Sequence, residues 1–485
     1  MPTKIKFPKK FPVTCHTKHV GIGSTFFAIK GTKEDGTAYI PLALKRGAHK
    51  IVIQEDTQLQ QELVNIIEAN GTTIEIVENI RLELANYSAK ATNHAHKKLK
   101  IIGITGTKGK TSTAFLLEHI FKKAGYNTAL VSTVHNKILE KVLPASLTTE
   151  PADYLHQFFK VCAENNVEYV IMEIAAQALS LHRVSGLAFD SVIFTNFSHE
   201  HGEFYSSLEN YFQAKCKIFD QLKFDTTDAP VFINADDTWG KRILQKHPKF
   251  LSFGTTNNSD LQAKIIEAKE TLCFELVSRT NNHKQYLVTC PALFGAFNSY
   301  NVTSAIGVAH AHGIPIQDCA TYIQTFSGIP GRLELHTLAN GARCFIDYAH
   351  NPSSYEAILP ALREMTDDLT VIFGCGGERD HKKRPIMGHI ATVIADKIIL
   401  TSDNPRSEDP QNIIQNITTG ITKENAHKVT QELDRYNAIT HACKSSKKSS
   451  VIAILGKGPD EYQIIGENKS FFSEKEILKE FKKAS

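Results

Sequence analysis

No two of the nine cysteines form a CxxC pair, and residues such as Cys15, Cys162, Cys216, Cys375 and Cys443 lie far apart in the chain. This spacing offers no zinc or dithiol redox motif and points to a reducing compartment. Long apolar runs are missing too. The most apolar stretch, Tyr169–Leu181, is interrupted by Glu173 and Gln177, and it falls short of the roughly 20 apolar residues that a bilayer span needs. The basic start MPTKIKFPKKFPV runs into prolines before an apolar core can form, so it does not read as a secretory leader. Charge of one sign is scarce: 55 Lys and Arg against 51 Asp and Glu leave a formal +4, with the lysines scattered. That is no footprint for nucleic acid. Repeats and low-complexity tracts are likewise absent. The expectation is a cytoplasmic monomer without a membrane or nucleic-acid partner.

What is present is a chain of 485 residues, 42% hydrophobic and 22% charged, which is too long for one ordinary core. Residues 1–97 give a small α/β unit: strand-like FFAIKG, turn-rich TKEDGTAY, helical PLALKRGAHK, then strand-like IVIQ. The polar stretch SAKATNHAHKK, Ser88 to Lys98, lacks apolar periodicity and reads as a linker. Next, LKIIGITGTKGKTSTAFLLEHIFKKAG reads as strand, glycine loop and amphipathic helix ending at Gly125, followed by the strand TALVST. With EYVIMEIAA and SVIFTNF further on, this predicts a parallel sheet covered on both faces. FELVSRTNNHKQYLVTC looks like an added hairpin, and a helix from Asn298 to His312 closes this central domain, placed at 98–328. CFIDYA, LTVIFGCGG, KIILTS and SVIAILG predict a second doubly wound α/β domain at 329–485.

Gly106-Thr107-Lys108-Gly109-Lys110-Thr111-Ser112 follows a strand and opens a helix, the context a phosphate-binding loop requires. Glycines let backbone amides approach phosphate, the helix N-terminus favours negative charge, Lys110 reaches terminal phosphates and Thr111 offers a hydroxyl to magnesium. The bland alternative is a glycine turn that binds nothing. Glu173 ends the buried strand YVIME, either as a magnesium ligand or as a carboxylate paired with a lysine. His201 in TNFSHEHGEF is a metal ligand or an ordinary surface histidine. DYAHNP, GCGGERDHKKRP and TSDNPRSEDP stand at three consecutive predicted strand ends of the third domain, the edge where open α/β sheets bind ligands.

Taken in order, GTKGKTS, TTEP, VIMEIAAQAL, HRV, TNFSHEH, YFQAK, GRLE, DYAHNP, FGCGGERD, KRPIMG and DNPRSEDP resemble the Mur ligase family over about residues 16 to 465. Within it they resemble the members that add a diamino acid to a UDP-linked muramyl dipeptide during peptidoglycan synthesis. The resemblance implies three α/β domains: a small N-terminal uridine-binding domain, a central P-loop ATPase-like parallel sheet and a C-terminal Rossmann-like domain. It also implies that ATP and magnesium convert a carboxylate to an acyl phosphate, which an amine then attacks. Lys110, Lys215 and His201 would be catalytic, with Thr111, Glu173, His201 and a carbamylated Lys215 holding metal. Gly106 to Ser112, Asn298, Arg332, Asp347 and His350 would meet ATP; Thr17, Thr148, Thr149 and Arg183 would meet the UDP-muramyl substrate. Arg384, Asp403, Asn404, Pro405, Arg406, Gly456 and Asp460 would meet the amino acid. DNPR resembles the version that takes meso-diaminopimelate, because paired guanidinium groups can grip a distal carboxylate that lysine lacks.

Some positions depart from that pattern. His16-Thr17-Lys18 replaces Asp-Ser-Arg, Ala175-Ala176-Gln177 replaces Ser-Ser-His, His199-Glu200 replaces Arg-Asp, and Pro459-Asp460 replaces the His-Glu of GKGHE. These changes fall on the substrate sides and leave the ATP elements nearly complete. They keep three alternatives open: a lysine-adding enzyme, a ligase for another acceptor such as a folate, and a paralogue that binds nucleotide without catalysis.

Overall fold

In a computed structural model, residues 5–31, 34–198, 204–223, 229–279 and 281–482 are described. The chain divides into two units, Met1–Leu261 with Thr303–Cys319, and Gln262–Val302 with Ala320–Ser485. It holds an N-terminal, a central and a C-terminal sheet. Among the described residues no helix is long and apolar enough to cross a membrane.

The first unit begins with a four-stranded parallel sheet, Val13–Thr14, Ser24–Phe27, Ala48–Gln54 and Thr73–Val77, adjacent in chain order. The helix expected over PLALKRGAHK stops at Lys45, and Ala48 already belongs to the next strand. Gly47 at φ +94° makes that break, in a region that side chains avoid. The expected linker at Ser88 to Lys98 is mostly helical. The helix Ile80–Ala91 runs into it, capped by the Asn79 side chain on Leu82 N–H, and a 3₁₀ turn Ala95–Lys98 follows. Ser88, Ala89, Thr92 and His96 are buried there, so small and aromatic polar residues pack where a hydropathy pattern shows nothing.

The central sheet runs Leu251–Gly254, Val231–Asn234, Ser191–Phe194, Lys100–Thr105, Tyr169–Glu173 and Thr128–Val131, all parallel. Antiparallel Asn136–Ile138 and Lys141–Leu143 follow at one edge. Tyr169–Glu173 and Ser191–Phe194 are buried at every position, which is why they read as unbroken apolar runs rather than alternating ones. Leu155, Phe158 and Phe159 of the helix Ala152–Glu164 share a core with Ile101, Val170, Met172 and Val192 of the sheet.

In the second unit Leu272–Ser278 and Lys284–Cys290 form the expected hairpin, with Phe274 opposite Val288. The six-stranded sheet has the order Glu334–Thr337, Arg343–Asp347, Val451–Leu455, Leu369–Phe373, Lys397–Leu400, Val429–Gln431, parallel except for its first pair. Phe345 enters one core, while its neighbours Cys344 and Ile346 enter the other. This period of two places helices on both faces of a doubly wound sheet. The helix expected from Asn298 to His312 is Asn298–Ala311.

Candidate active site

The loop at 106–112 leaves the strand Lys100–Thr105 and enters the helix Lys110–Lys123. A Cβ on Gly106, at φ +141°, would overlap Thr195 Oγ1, and Gly109 caps the helix at φ +82°. Only glycine allows both. The TNFS segment secures the loop. Thr107 N–H donates to the Asn196 carbonyl at 2.8 Å, Lys108 N–H to Asn196 Oδ1 at 2.9 Å, and Thr195 Oγ1 to the Lys108 carbonyl at 2.6 Å. Lys110 Nζ folds back over the loop, donating to the carbonyls of Gly106 at 2.9 Å and Thr107 at 3.0 Å. The ammonium therefore lies where phosphate oxygens would meet it.

Glu173 is fully buried at the carboxyl end of its strand. Its carboxylate accepts from Thr111 Oγ1 at 3.0 Å, Thr133 N–H at 2.9 Å and Thr133 Oγ1 at 3.2 Å. Among the described residues no lysine is paired with it; its partners there are hydroxyls and a backbone N–H. Thr133 Oγ1 also donates to Thr148 Oγ1 at 3.1 Å, and Thr149 Oγ1 donates to the Glu173 carbonyl at 2.8 Å. Arg183 donates to the Thr149 carbonyl at 2.8 Å. One chain of hydroxyls thus runs from the loop through Glu173 to the two threonines expected on the substrate side. Thr133 was not expected; its signal was its place at the end of the strand TALVST.

Lys215, on the helix Leu208–Cys216, is 1% exposed, donates to the Gly106 carbonyl at 2.8 Å and lies 4.5 Å from the Tyr211 ring centre. A lysine this deep against the loop has a reason to be there beyond solubility. Among the described residues no group of three or more His, Cys, Asp or Glu gathers around a point that could hold a metal. The oxygen pair of Thr111 and Glu173 nevertheless fits a hard cation such as Mg²⁺, which takes one or two protein oxygens alongside phosphate and water. His199, Glu200 and His201 lie outside the described residues.

Thr17 begins the 3₁₀ turn Thr17–His19, where His16 Nδ1 accepts from Lys18 N–H. Just before it, buried Asp153 accepts from Thr14 Oγ1 at 2.7 Å and Cys15 N–H at 3.2 Å, fixing the segment to the helix Ala152–Glu164.

In the second unit Asp347 ends its strand and accepts from the N–H groups of Leu333 at 2.7 Å and Ala349 at 2.7 Å. Arg332 stacks 5.0 Å from the Tyr348 ring, and His350 Nδ1 lies 2.7 Å from the Tyr348 carbonyl. Asn298 is buried, its amide donating to Phe294 and accepting from Asn301. The 403–406 loop is the most elaborated. Arg406, at φ +54°, donates through Nη1 to the Gly377 carbonyl at 2.7 Å, and among the described residues its Nη2 and Nε have no partner. That leaves the edge a carboxylate would meet side-on. Buried Lys457 donates to Asn404 Oδ1 at 3.3 Å, and desolvation lowers its pKa; Asp403 and Asp460 pull the other way. Burial raises the Asp460 carboxyl above its usual range. A Cβ on Gly456 would overlap Asp403 Oδ2, so glycine is required there. Arg384 departs from expectation. It is 1% exposed and donates to Glu408 at 2.6 Å and Asn416 at 3.1 Å, so its guanidinium is held by the protein's own groups.

A phosphate-binding loop on a wide parallel sheet, with a buried carboxylate under the loop's threonine, defines a P-loop nucleotide-binding α/β protein. Residues 104–309 match the Mur ligase middle domain, and 331–458 match the Mur ligase, glutamate ligase domain. The UDP-N-acetylmuramoyl-L-alanyl-D-glutamate--2,6-diaminopimelate ligase of Caldanaerobacter subterraneus is 36% identical over 94% of this chain and 91% of its own length. Its namesake from Aquifex aeolicus is 35% identical over 96% and 92%. A solved structure of a ligase with the same name superposes with a TM-score of 0.65 at 27% identity, covering 97% of this chain and 94% of that one. MurF ligase from Thermotoga maritima in complex with ADP, at 18% identity and TM-score 0.62 over 93% and 94%, shares the fold. The chain belongs to the Mur ligase family.

Proposed function

We propose that this protein is an ATP-dependent amide ligase that joins meso-2,6-diaminopimelate to UDP-N-acetylmuramoyl-L-alanyl-D-glutamate, in cytoplasmic peptidoglycan precursor synthesis. The observation that carries the reading is the hydroxyl–carboxylate chain Thr111–Glu173–Thr133–Thr148 beneath the loop. It joins a phosphate-binding element to a second substrate's threonines. The near-full-length likeness to ligases of that name supports the choice of substrates.

In this reading the loop amides and Lys110 bind and align the terminal phosphates of ATP. Catalysis is then mainly positioning and charge neutralisation. A dipeptide carboxylate oxygen takes the γ-phosphoryl group and ADP departs. The diamino acid's amine attacks the acyl carbon, and phosphate leaves as the amide forms. Thr111 and Glu173, with His201, would hold Mg²⁺, which neutralises phosphate charge when bound. Lys215 lies against the Gly106 carbonyl; as a carbamate, formed from its amine and CO₂ with loss of a proton, it would add a carboxylate to that group. Asn298, Arg332, Asp347 and His350 are further nucleotide contacts in this reading, and Thr17 and Arg183 serve the UDP-muramyl substrate. Asp403, Asn404, Pro405, Gly456 and Asp460 surround the amino acid. Arg406 grips the distal carboxylate, and Arg384, tied to Glu408, positions that loop instead of touching substrate. The domain limits 1–97, 98–328 and 329–485 and a monomeric state belong to the same proposal.

The test is phosphate release from ATP and magnesium with the UDP-linked dipeptide, comparing meso-diaminopimelate, L-lysine and no amino acid. Release that depends on both the dipeptide and diaminopimelate is expected. ATP binding without such release would overturn the reading.

A further inference from the structure

Beyond the strand-end loops of the second unit stands a two-stranded hairpin, Tyr462–Ile465 paired with Asn468–Phe471. Ile465 is 55% exposed and Phe471 73%, so it buries little. A lone hairpin of this size is marginal in water, and something else must hold it. Its attachments fall on the 403–406 loop. Gln463 Nε2 donates to the Asp403 carbonyl at 2.9 Å, and Ile464 N–H donates to Asn404 Oδ1 at 2.9 Å. Arg406 N–H donates to the Ile464 carbonyl at 3.1 Å, and Gly466 N–H donates to the Arg406 carbonyl at 2.8 Å. Arg406 is therefore bracketed on both backbone sides, like one rung of a parallel ladder. It is also a non-glycine residue at φ +54°, a left-handed conformation that an L side chain disfavours and that persists only with support from its surroundings.

Lys457 ties the two pieces from below. Its ammonium meets Asn404 and lies 5.5 Å from the Tyr462 ring centre and 5.9 Å from that of Phe472. At the open end the ladder of the hairpin continues one step further, with Phe472 N–H donating to the Glu461 carbonyl at 3.2 Å.

We propose that this hairpin is a specificity brace: it holds Arg406 in its left-handed conformation and so aims the open edge of the guanidinium at the distal carboxylate of the diamino acid, with Gln463 as a positioning residue. The inference rests on the ligase reading above. Gln463 touches no substrate in it; it acts through Asp403 and Arg406.

The experiment uses the full chain and two variants, Gln463→Leu, which removes one side-chain donor, and Gly466→Pro, which removes the donor to Arg406 and cannot adopt the φ of +59° at that turn. Amide hydrogen exchange over residues 403–408 is measured beside steady-state kinetics. Faster exchange in that segment is expected in both variants. For Gln463→Leu the KM for meso-diaminopimelate should rise about three- to tenfold, the worth of one neutral hydrogen bond. Its kcat and its KM for ATP should stay within about twofold of the parent, and Gly466→Pro should show the larger KM effect. Unchanged exchange at 403–408 overturns the brace, as does a fall in kcat or an equal rise in KM for ATP. A parent protein that ignores diaminopimelate refutes the ligase reading instead, and the exchange arm still decides the brace.

Discussion

Gly106, Lys215 and Arg406 each owe their identity to one close approach. A methyl on Gly106 would push Thr195 off the Lys108 carbonyl, so Gly106→Ala should lose at least tenfold in affinity for a fluorescent ATP analogue while the melting temperature moves only a few degrees. Lys215→Ala should abolish phosphate release. If the amine carries a carbamate, a short carboxylate such as formate restores part of it, and carbon-13-labelled bicarbonate gives a carbamate signal that the variant lacks. Full activity in Lys215→Ala would remove it from the site. Arg406→Ala should raise the KM for diaminopimelate about 10- to 100-fold, the loss of a charge-assisted pair, and leave L-lysine use little changed; an equal loss for both amino acids refutes the carboxylate grip. The contrast with Arg384 marks the limit of sequence reading at this scale. Lys110 and Thr111 could be read because phosphate chemistry needs adjacent residue types. Arg384 and Glu408 stand 24 positions apart, and nothing in either segment says that they face each other. Thr133 escaped for a related reason: its place at the end of the strand TALVST marks the functional sheet edge, but only Glu173 beside it says which partner it serves.

At the scale of elements, the buried strands were legible because parallel strands covered on both faces leave near-continuous apolar runs. The segment from Ser88 to Lys98 was not, since its burial uses Ser88, Thr92 and His96 rather than aliphatic side chains. A similar polar fixture holds the C-terminal helices Arg435–Ser445 and Glu474–Lys479. Arg435 Nε donates to Glu474 Oε1 at 2.7 Å and its Nη2 to the Leu455 carbonyl at 2.8 Å, with both side chains essentially without solvent. Burial raises the Glu474 carboxyl, and Arg435 pulls it back. Removing one partner strands the other's charge, so Arg435→Ala should cost about 3–5 kcal/mol in urea unfolding. The paired change Arg435→Met with Glu474→Leu should recover most of that, because it leaves neither member of the pair charged without the other. A single-variant cost below about 1 kcal/mol would mean that water reaches the pair.

For the whole molecule, a formal charge of +4 from nearly balanced acids and bases gives no strong self-repulsion near neutrality. The pH response of folding then depends on buried groups. His96 and His156 are 4% and 2% exposed, their rings 5.1 Å apart, and the Nδ1 of each lacks a hydrogen-bond partner among the described residues. Desolvation lowers the His96 pKa to about 4, helped by His94 and Lys97, while a hydrogen bond to the Gly186 backbone opposes it. Desolvation likewise lowers His156 to about 3, helped by His96 and His94. Both are neutral in the folded state at pH values where the unfolded chain, with ordinary histidines near pH 6.5, takes up protons. Stability is therefore full above that value and falls as the pH drops from about 6.5 toward 4, by at most about 1.4 kcal/mol per pH unit for each histidine. Phe159 lies 5.9 Å from the His156 ring, so a phenyl group suits that site. His312, lowered to about 4 by burial, takes up a proton on unfolding in the same window, so His156→Phe should reduce the loss in urea-unfolding free energy between pH 7.5 and pH 5 by roughly a third, one of three such protons having been removed. An unchanged difference would place the acid sensitivity in other groups.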